Sequence, residues 1–250
     1  MLTITQDGGV AYLTANSPQI NIYQFLTKFF PYGPDLIADA EPNNWTDPDN
    51  EILNDLDQTV YQEYQDGQPW PTIDRQTIIQ FEDFVEMRNK PNSTVKESCL
   101  VLAKEQLGKA GYTCSGWLPG SQTFSIYTEQ NGVNQSKTKQ AISYIISSLQ
   151  QKIPVLIGVD NRAGAPPENL DNSTDHYVVI VGMGTDDKGK YFQFVDSATS
   201  NRSQGASFSN RLYYNATTGK ITGKTAVVNY RNYPGMHDYI VTQVRKSIKK

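Results

Sequence analysis

The sequence predicts an α+β domain with an antiparallel sheet, preceded by an irregular N-terminal region. Three observations carry this. Between residues 92 and 151 apolar side chains recur twice at helical spacing. From residue 153 onward they shift to short continuous runs, as in buried strands. Helices come first and strands follow with mostly short connections, the arrangement of an α+β domain with an antiparallel sheet.

Length and composition bound what the chain is. It has 250 residues, enough for one or two domains. A chain of this size buries roughly three-quarters of the surface its unfolded form exposes, so it needs no staples. Hydrophobic residues make up 38% and charged residues 19%; Asn, Gln, Ser, Thr and 15 Tyr fill the difference, which argues against disorder. The formal net charge of -4 excludes a generally basic nucleic-acid binder. No run approaches the ~18 apolar residues of a membrane span. The stretch from Met1 to Gly9 lacks the basic region and apolar core of a secretory signal. The expectation is cytoplasmic synthesis, with any export through a contractile injection system or in association with phage. Two cysteines are too few for a disulfide framework.

The pattern divides the chain near residue 91. Residues 1–90 read as an accessory region, or as packing for the remainder of the chain. Pro31-Tyr32-Gly33-Pro34 signals a turn, and Asp39 to Asp57 is mostly loop. A short helix is expected from Glu51 to Tyr64, and a helix or strand from Ile78 to Met87. Gly67-Gln68-Pro69-Trp70-Pro71 reads as a rigid turn, because each proline fixes its own φ and biases the residue before it.

Residues 91–250 carry the regular elements. Thr94-Val95-Lys96-Glu97 matches a capping box, with a helix running to Lys109 and Gly111 as its stop. Leu100, Ala103, Leu107 and Ala110 share one face of it. Ser98 is the alternative cap. A second helix fits Ser136 to Gln151, with a stripe of Ala141, Ile142, Ile145, Ile146 and Leu149. Strands follow at Ile153–Val159, His176–Gly182 and Tyr191–Asp196, the last two joined by the turn Asp186-Asp187-Lys188-Gly189. A hairpin of Arg211–Tyr214 and Lys220–Thr222 comes next, then strands at Ala226–Tyr230 and Tyr239–Val244. The basic tail, Arg245 to Lys250, reads as a solvated end.

One ordered set carries chemistry: Cys99 near a helix start, His176 opening a strand, and Asp196 closing the next. A thiol becomes a good nucleophile as thiolate, and its ordinary pKa is about 8.5. A helix N-terminus favours the anion. A neighbouring imidazole holds the proton and returns it to a leaving amine. A third group fixes the imidazole's tautomer and orientation. Strands joined by a short turn lie side by side, so His176 and Asp196 come to the same end. If Thr94 caps the helix, Cys99 lies in the second turn; if Ser98 does, it is the first helical residue. Backbone N–H groups at the helix start are oxyanion donors; Asn92 and Asp175 are weaker candidates for substrate or oxyanion contacts. Other readings stay open. Cys99 and Cys114 are a candidate disulfide, disfavoured in the cytoplasm. His237 is a rival base in a loop. No Cys or His pair has metal-ligand spacing, so neither metal nor cofactor is expected.

The sequence resembles the papain-like cysteine peptidase and amidase superfamily, including NlpC-type cell-wall hydrolases. The resemblance rests on Ser98-Cys99-Leu100, on Thr174-Asp175-His176-Tyr177-Val178-Val179-Ile180-Val181-Gly182, and on Phe194-Val195-Asp196. Gly158-Val159-Asp160 ahead of Asp175-His176 is similar to the approach to the histidine in bacterial members. Leu100 stands after the cysteine, and the family's upstream glutamine has no counterpart. The resemblance implies a papain-like fold, with a catalytic helix packed on the antiparallel sheet. It implies Cys99 as nucleophile, His176 as base and Asp196 as orienter, acting on an amide. The expected substrate is peptidoglycan stem peptide ahead of protein, which suits an antibacterial effector with an immunity or delivery partner. No nucleic-acid or membrane partner is expected. The polar loop from Asp160 to Thr174 is placed to influence substrate choice. The alternatives are an inactive binding or structural module of a larger assembly, and an acyl transferase using the same thiol.

Overall fold

The computed structural model describes residues 6–7, 10–11, 61–114, 123–161, 174–228 and 238–250. The chain forms two units, Met1–Asp47 and Pro48–Lys250. In the first, β1 (Gln6–Asp7) pairs antiparallel with β2 (Val10–Ala11). The second holds all the remaining described elements.

The two longer helices among the described residues form where apolar residues recur at helical spacing. They are α1 (Cys99–Gly108) and α2 (Gln135–Gln150), the latter capped by Asn134, whose side chain accepts from the Lys137 N–H. Between them lie four short strands: β3 (Tyr112–Cys114), β4 (Thr123–Ser125), β5 (Tyr127–Thr128) and β6 (Gly132–Val133). After α2 come β7 (Val155–Asn161), β8 (His176–Asp186) and β9 (Gly189–Val195). A single turn, α3 (Arg202–Gly205), leads to β10 (Arg211–Tyr214), β11 (Ile221–Lys224), β12 (Asp238–Arg245) and β13 (Ser247–Lys249).

The main sheet has the order β11-β10-β9-β8-β7-β12-β4, with every pairing antiparallel. It also closes on itself. The register of β12 shifts between Val241 and Gln243; before the shift it pairs β11 through Asp238–Ile240, and after it β4 through Gln243–Arg245. Strands β7 to β12 therefore form a small barrel, and β4 extends the sheet from β12 beyond the shift. Closure satisfies edge groups that an open sheet would leave exposed.

Both faces of the central strands are covered. Val155, Ile157, Val159, Val178, Ile180, Phe192 and Phe194 pack in one cluster with Ala141, Ile142, Ile145 and Leu149 of α2. Leu156, Tyr177, Val179, Val181 and Val195 pack on the opposite side with Cys99, Leu100, Ala103 and Leu107 of α1. This double burial explains why β8 reads as a continuous apolar run and not as an alternating one.

Residues 61–90 lie against the same sheet. Tyr64, Ile79, Phe84 and Val85 are buried. Ile73 exchanges backbone hydrogen bonds with Met183 of β8 at 2.8 and 3.1 Å. A Cβ at Gly182 would lie 2.8 Å from the Ile73 carbonyl oxygen, so glycine permits this approach. The expected Ile78–Met87 element is a single 3-10 turn, Phe81–Asp83, with another before it at Arg75–Thr77. Of the expected helix at 51–64, residues 51–60 lie outside the described residues and 61–64 are not helical. The turn at 31–34 also lies outside them.

Two further expectations are corrected. Ala226 to Val228 are not a strand, and 229–230 lie outside the described residues. The Ala226 N–H donates to Asn210 Oδ1 at 2.7 Å and the Val227 N–H to Thr225 Oγ1 at 3.2 Å, so side chains take the donors that a ladder needs. The basic tail is not wholly a solvated end. Arg245 lies buried over the Tyr177 ring and Lys246 buried over the Tyr61 ring. The strands β12 and β13 draw the charged heads onto aromatic faces, where the attraction is to the ring quadrupole.

Buried Gln106 of α1 accepts from the Val85 N–H at 2.7 Å and donates to the Asp83 carbonyl at 3.0 Å. Gln106→Leu leaves both groups without that partner and is expected to destabilise the fold by roughly 1–3 kcal/mol. Urea unfolding checks this; an unchanged midpoint would remove Gln106 as the tie between α1 and residues 83–85.

Candidate active site

Ser98 caps α1, and Cys99 is its first helical residue. The Ser98 Oγ accepts from the Leu100 N–H at 3.2 Å, and the Glu97 carboxylate accepts from the Ser98 N–H at 3.0 Å. The capping box at Thr94 does not form. Residues 88–97 turn back on themselves instead, with Lys90 N–H to Val95 carbonyl at 2.8 Å and Glu97 N–H to Arg88 carbonyl at 2.9 Å. Backbone pairing there leaves Thr94 no orphan N–H to cap. Cys99 thus stands where the helix dipole acts most strongly. It is buried, as is Cys114, and no disulfide joins the two, so the disulfide reading fails.

His176 and Asp196 are placed by the β8–β9 hairpin. From its turn the register runs Asp186↔Gly189 through Gly182↔Gln193, then shifts to Ile180↔Phe194 and Val179↔Val195. Continued by one residue, the shifted register sets Asp196 opposite Val178, which shares a strand face with His176. Without the bulge Asp196 would oppose Val179, on the other face, because strand side chains alternate.

The imidazole and carboxylate meet directly. His176 Nε2 lies 2.8 Å from Asp196 Oδ1, and both side chains are fully buried. With Nε2 so occupied, Nδ1 is the nitrogen left for the Cys99 thiol, which lies within electrostatic reach of the ring. Burial pushes the His176 pKa down; the Asp196 charge and hydrogen bond, with the Cys99 thiol, outweigh it and raise it to about 10. Burial alone would raise the Asp196 pKa, but His176 and the hydroxyl and backbone donors around it lower it.

Asp196 has four donors. Oδ1 receives His176 and the Ala198 N–H at 3.0 Å. Oδ2 receives the Thr225 hydroxyl at 2.8 Å and the Tyr239 hydroxyl at 2.9 Å. Its own N–H donates to the Gly205 carbonyl at 2.9 Å. The sequence reading missed Thr225 and Tyr239, and nothing local marks them: one follows β11, the other lies in β12, and Tyr239 is one of 15 tyrosines.

The weaker candidates lie apart or at the margin. Asn92 is exposed, in a tight turn at φ 55, and that turn accounts for its residue type. Asp175 adjoins His176 and is partly buried, and its N–H donates to the Val159 carbonyl at 2.9 Å. His237 and most of the loop from Asp160 to Thr174 lie outside the described residues. Among the described residues no group of three His, Cys, Asp or Glu side chains is placed to hold a metal ion.

A thiol at a helix start, beside an imidazole held by a carboxylate on an antiparallel sheet, is the constellation of a cysteine peptidase. The comparison with protein families agrees. Residues 103–240 match the family described as "Peptidase_C39 like family", and the chain belongs to it. Membership is consistent with the papain-like superfamily and supports a cysteine peptidase. The matched segment includes His176, Asp196 and Tyr239 and begins just after Cys99. No curated protein and no solved structure matched the chain.

The shifts of the pair predict a pH dependence of stability. With its pKa raised to about 10, His176 contributes stability that is fully present below its unfolded value near 6.5 and lost as pH rises through about 10. Asp196, with its pKa lowered, contributes stability present above the ordinary carboxylate range and lost as pH falls through its folded value. Denaturant unfolding across pH 5 to 10 is expected to show an alkaline decline in wild type that His176→Ala lacks. Equal declines in both proteins would remove His176 as its source.

Proposed function

We propose that the chain is a cysteine hydrolase that cleaves an amide bond with Cys99, His176 and Asp196. Cys99 Sγ attacks the carbonyl carbon of the substrate. The C–N bond then breaks, and His176 passes the proton it holds to the leaving amine. Water, activated by the same imidazole, hydrolyses the thioester and frees the thiol. Asp196 keeps the ring in the tautomer and orientation that both steps need. The Cys99 backbone N–H, at the first helical position, is the assigned oxyanion donor. Asp175, next to the histidine, is a candidate contact for the substrate backbone.

The observation that carries this reading is the line of a thiol at a helix N-terminus, an imidazole within its electrostatic reach, and a fully hydrogen-bonded carboxylate 2.8 Å from that imidazole. Three separate elements supply it. A structural cysteine and histidine need no such line. The substrate is a peptide bond, with peptidoglycan stem peptide ahead of protein; the likeness of the motifs to cell-wall hydrolases supports that order. Such a specificity suits an antibacterial effector.

Purified peptidoglycan and unstructured peptides are the substrates to test. Cys99→Ala and His176→Ala are each expected to lower kcat by at least about a thousandfold. Alkylation of Cys99, with Cys114 as internal control, is expected to be the faster of the two and to slow in His176→Ala. Cys99 labelling no faster than that of Cys114 and indifferent to His176 would overturn the hydrolase reading and leave a binding module.

A further inference from the structure

The carboxylate of Asp196 has two oxygens, and only one faces His176. The other is held by two hydroxyls from parts of the chain remote from the β8–β9 hairpin: Thr225 Oγ1 at 2.8 Å and Tyr239 Oη at 2.9 Å. Thr225 and Asp196 are fully buried, and Tyr239 is 1% exposed, so bulk solvent does not compete for these bonds. Tyr239 makes further contacts. Its ring lies 5.9 Å from the imidazole of His176 and 6.0 Å from the ring of Phe194. One residue therefore touches both members of the pair, the acid through its hydroxyl and the base through its ring.

We propose that Tyr239 and Thr225 are positioning residues for the reaction, a clamp on Asp196 Oδ2 that dedicates Oδ1 to His176. The proposal rests on the hydrolase reading for its effect on rate, but not for its effect on the imidazole. A carboxylate turns about its Cβ–Cγ bond unless both oxygens are engaged. Oδ1 already serves two donors, His176 and the Ala198 N–H. With Oδ2 unclamped, rotation would exchange the oxygens and lengthen the His176 bond. With Oδ2 clamped, the carboxylate plane is set before substrate arrives. Such pre-organisation matters most when the ring must keep one orientation through two proton transfers.

The clamp also ties the site to barrel closure. Tyr239 pairs with Gly223 across the β11–β12 seam, and Thr225 directly follows β11. The seam that closes the barrel thus brings both hydroxyls to Asp196. The titratable groups near the imidazole are Asp196, the Cys99 thiol and the Tyr239 hydroxyl, with Asp175 adjoining it in the chain and Asp160 following its strand partner Val159.

The test uses Tyr239→Phe and Thr225→Val, which remove a hydroxyl and keep the shape, and Thr225→Ser, which restores one. Thermal melts confirm that each variant is folded. The chain has two histidines, so 15N-histidine spectra resolve His176 without crowding. In wild type its Nε2 proton is expected far downfield and slow to exchange. In Tyr239→Phe and Thr225→Val it is expected upfield and faster to exchange, with the His176 titration moved below its wild-type position of about 10. The same variants should lose about ten- to a hundredfold in kcat with KM little changed, and Thr225→Ser should recover most of it. Folded Tyr239→Phe and Thr225→Val with wild-type spectra, titration and kcat would overturn the clamp. Altered spectra in a chain with no hydrolase activity in any form would uphold the clamp and overturn the reading it was built on.

Discussion

A carboxylate buried away from bulk solvent is the constraint on which this structure turns. An ion in a protein interior loses several kcal/mol of hydration unless charge and hydrogen bonds replace it. Asp196 replaces it fully, with an imidazole, two hydroxyls and a backbone N–H. Those donors come from β8, from the loop after β9, from the residue following β11, and from β12. No hairpin or helix supplies them alone. The barrel must close before the carboxylate is satisfied, so the site and the fold are one problem in energetics.

The bulge in the β8–β9 hairpin solves the second part of that problem. Its single-residue shift moves Asp196 to the face of His176. The same strands then use their opposite face to receive α1, whose buried stripe of Leu100, Ala103 and Leu107 carries Cys99 at its N-terminal end. Thiol and imidazole thus approach from two sides of one strand end. Residues 61–90 reinforce the arrangement from outside, through Ile73 on β8 and through the grip of Gln106 on residues 83–85. Packing remote from the thiol therefore bears on where the thiol lies.

Much of this was legible in the residues. The stripe of α2, the long apolar run of β8, the turn at Asp186–Gly189 and the hairpin of β10 and β11 each follow from spacing over several residues. The two- and three-residue strands β3 to β6 did not show, because a pattern of period two needs more repeats than they hold. Thr94 and Ser98 both looked like caps; local pairing of residues 88–97 decided for Ser98. Ala226–Tyr230 had the residue types of a strand, yet Asn210 and Thr225 take the N–H groups of Ala226 and Val227 that a strand would have used.

Taken alone, the sequence determined which chemistry was on offer. With two histidines and two cysteines, and with Cys99, His176 and Asp196 at the ends of recognisable elements, few constellations were open. These are properties of residue type and short-range period, which a linear string records. Tertiary structure decided the rest: closure of the sheet, the bulge that aligns Asp196 with His176, and the recruitment of Thr225 and Tyr239. Each depends on contacts between residues tens of positions apart, and a buried charge selects such partners by distance and geometry, which no local pattern encodes.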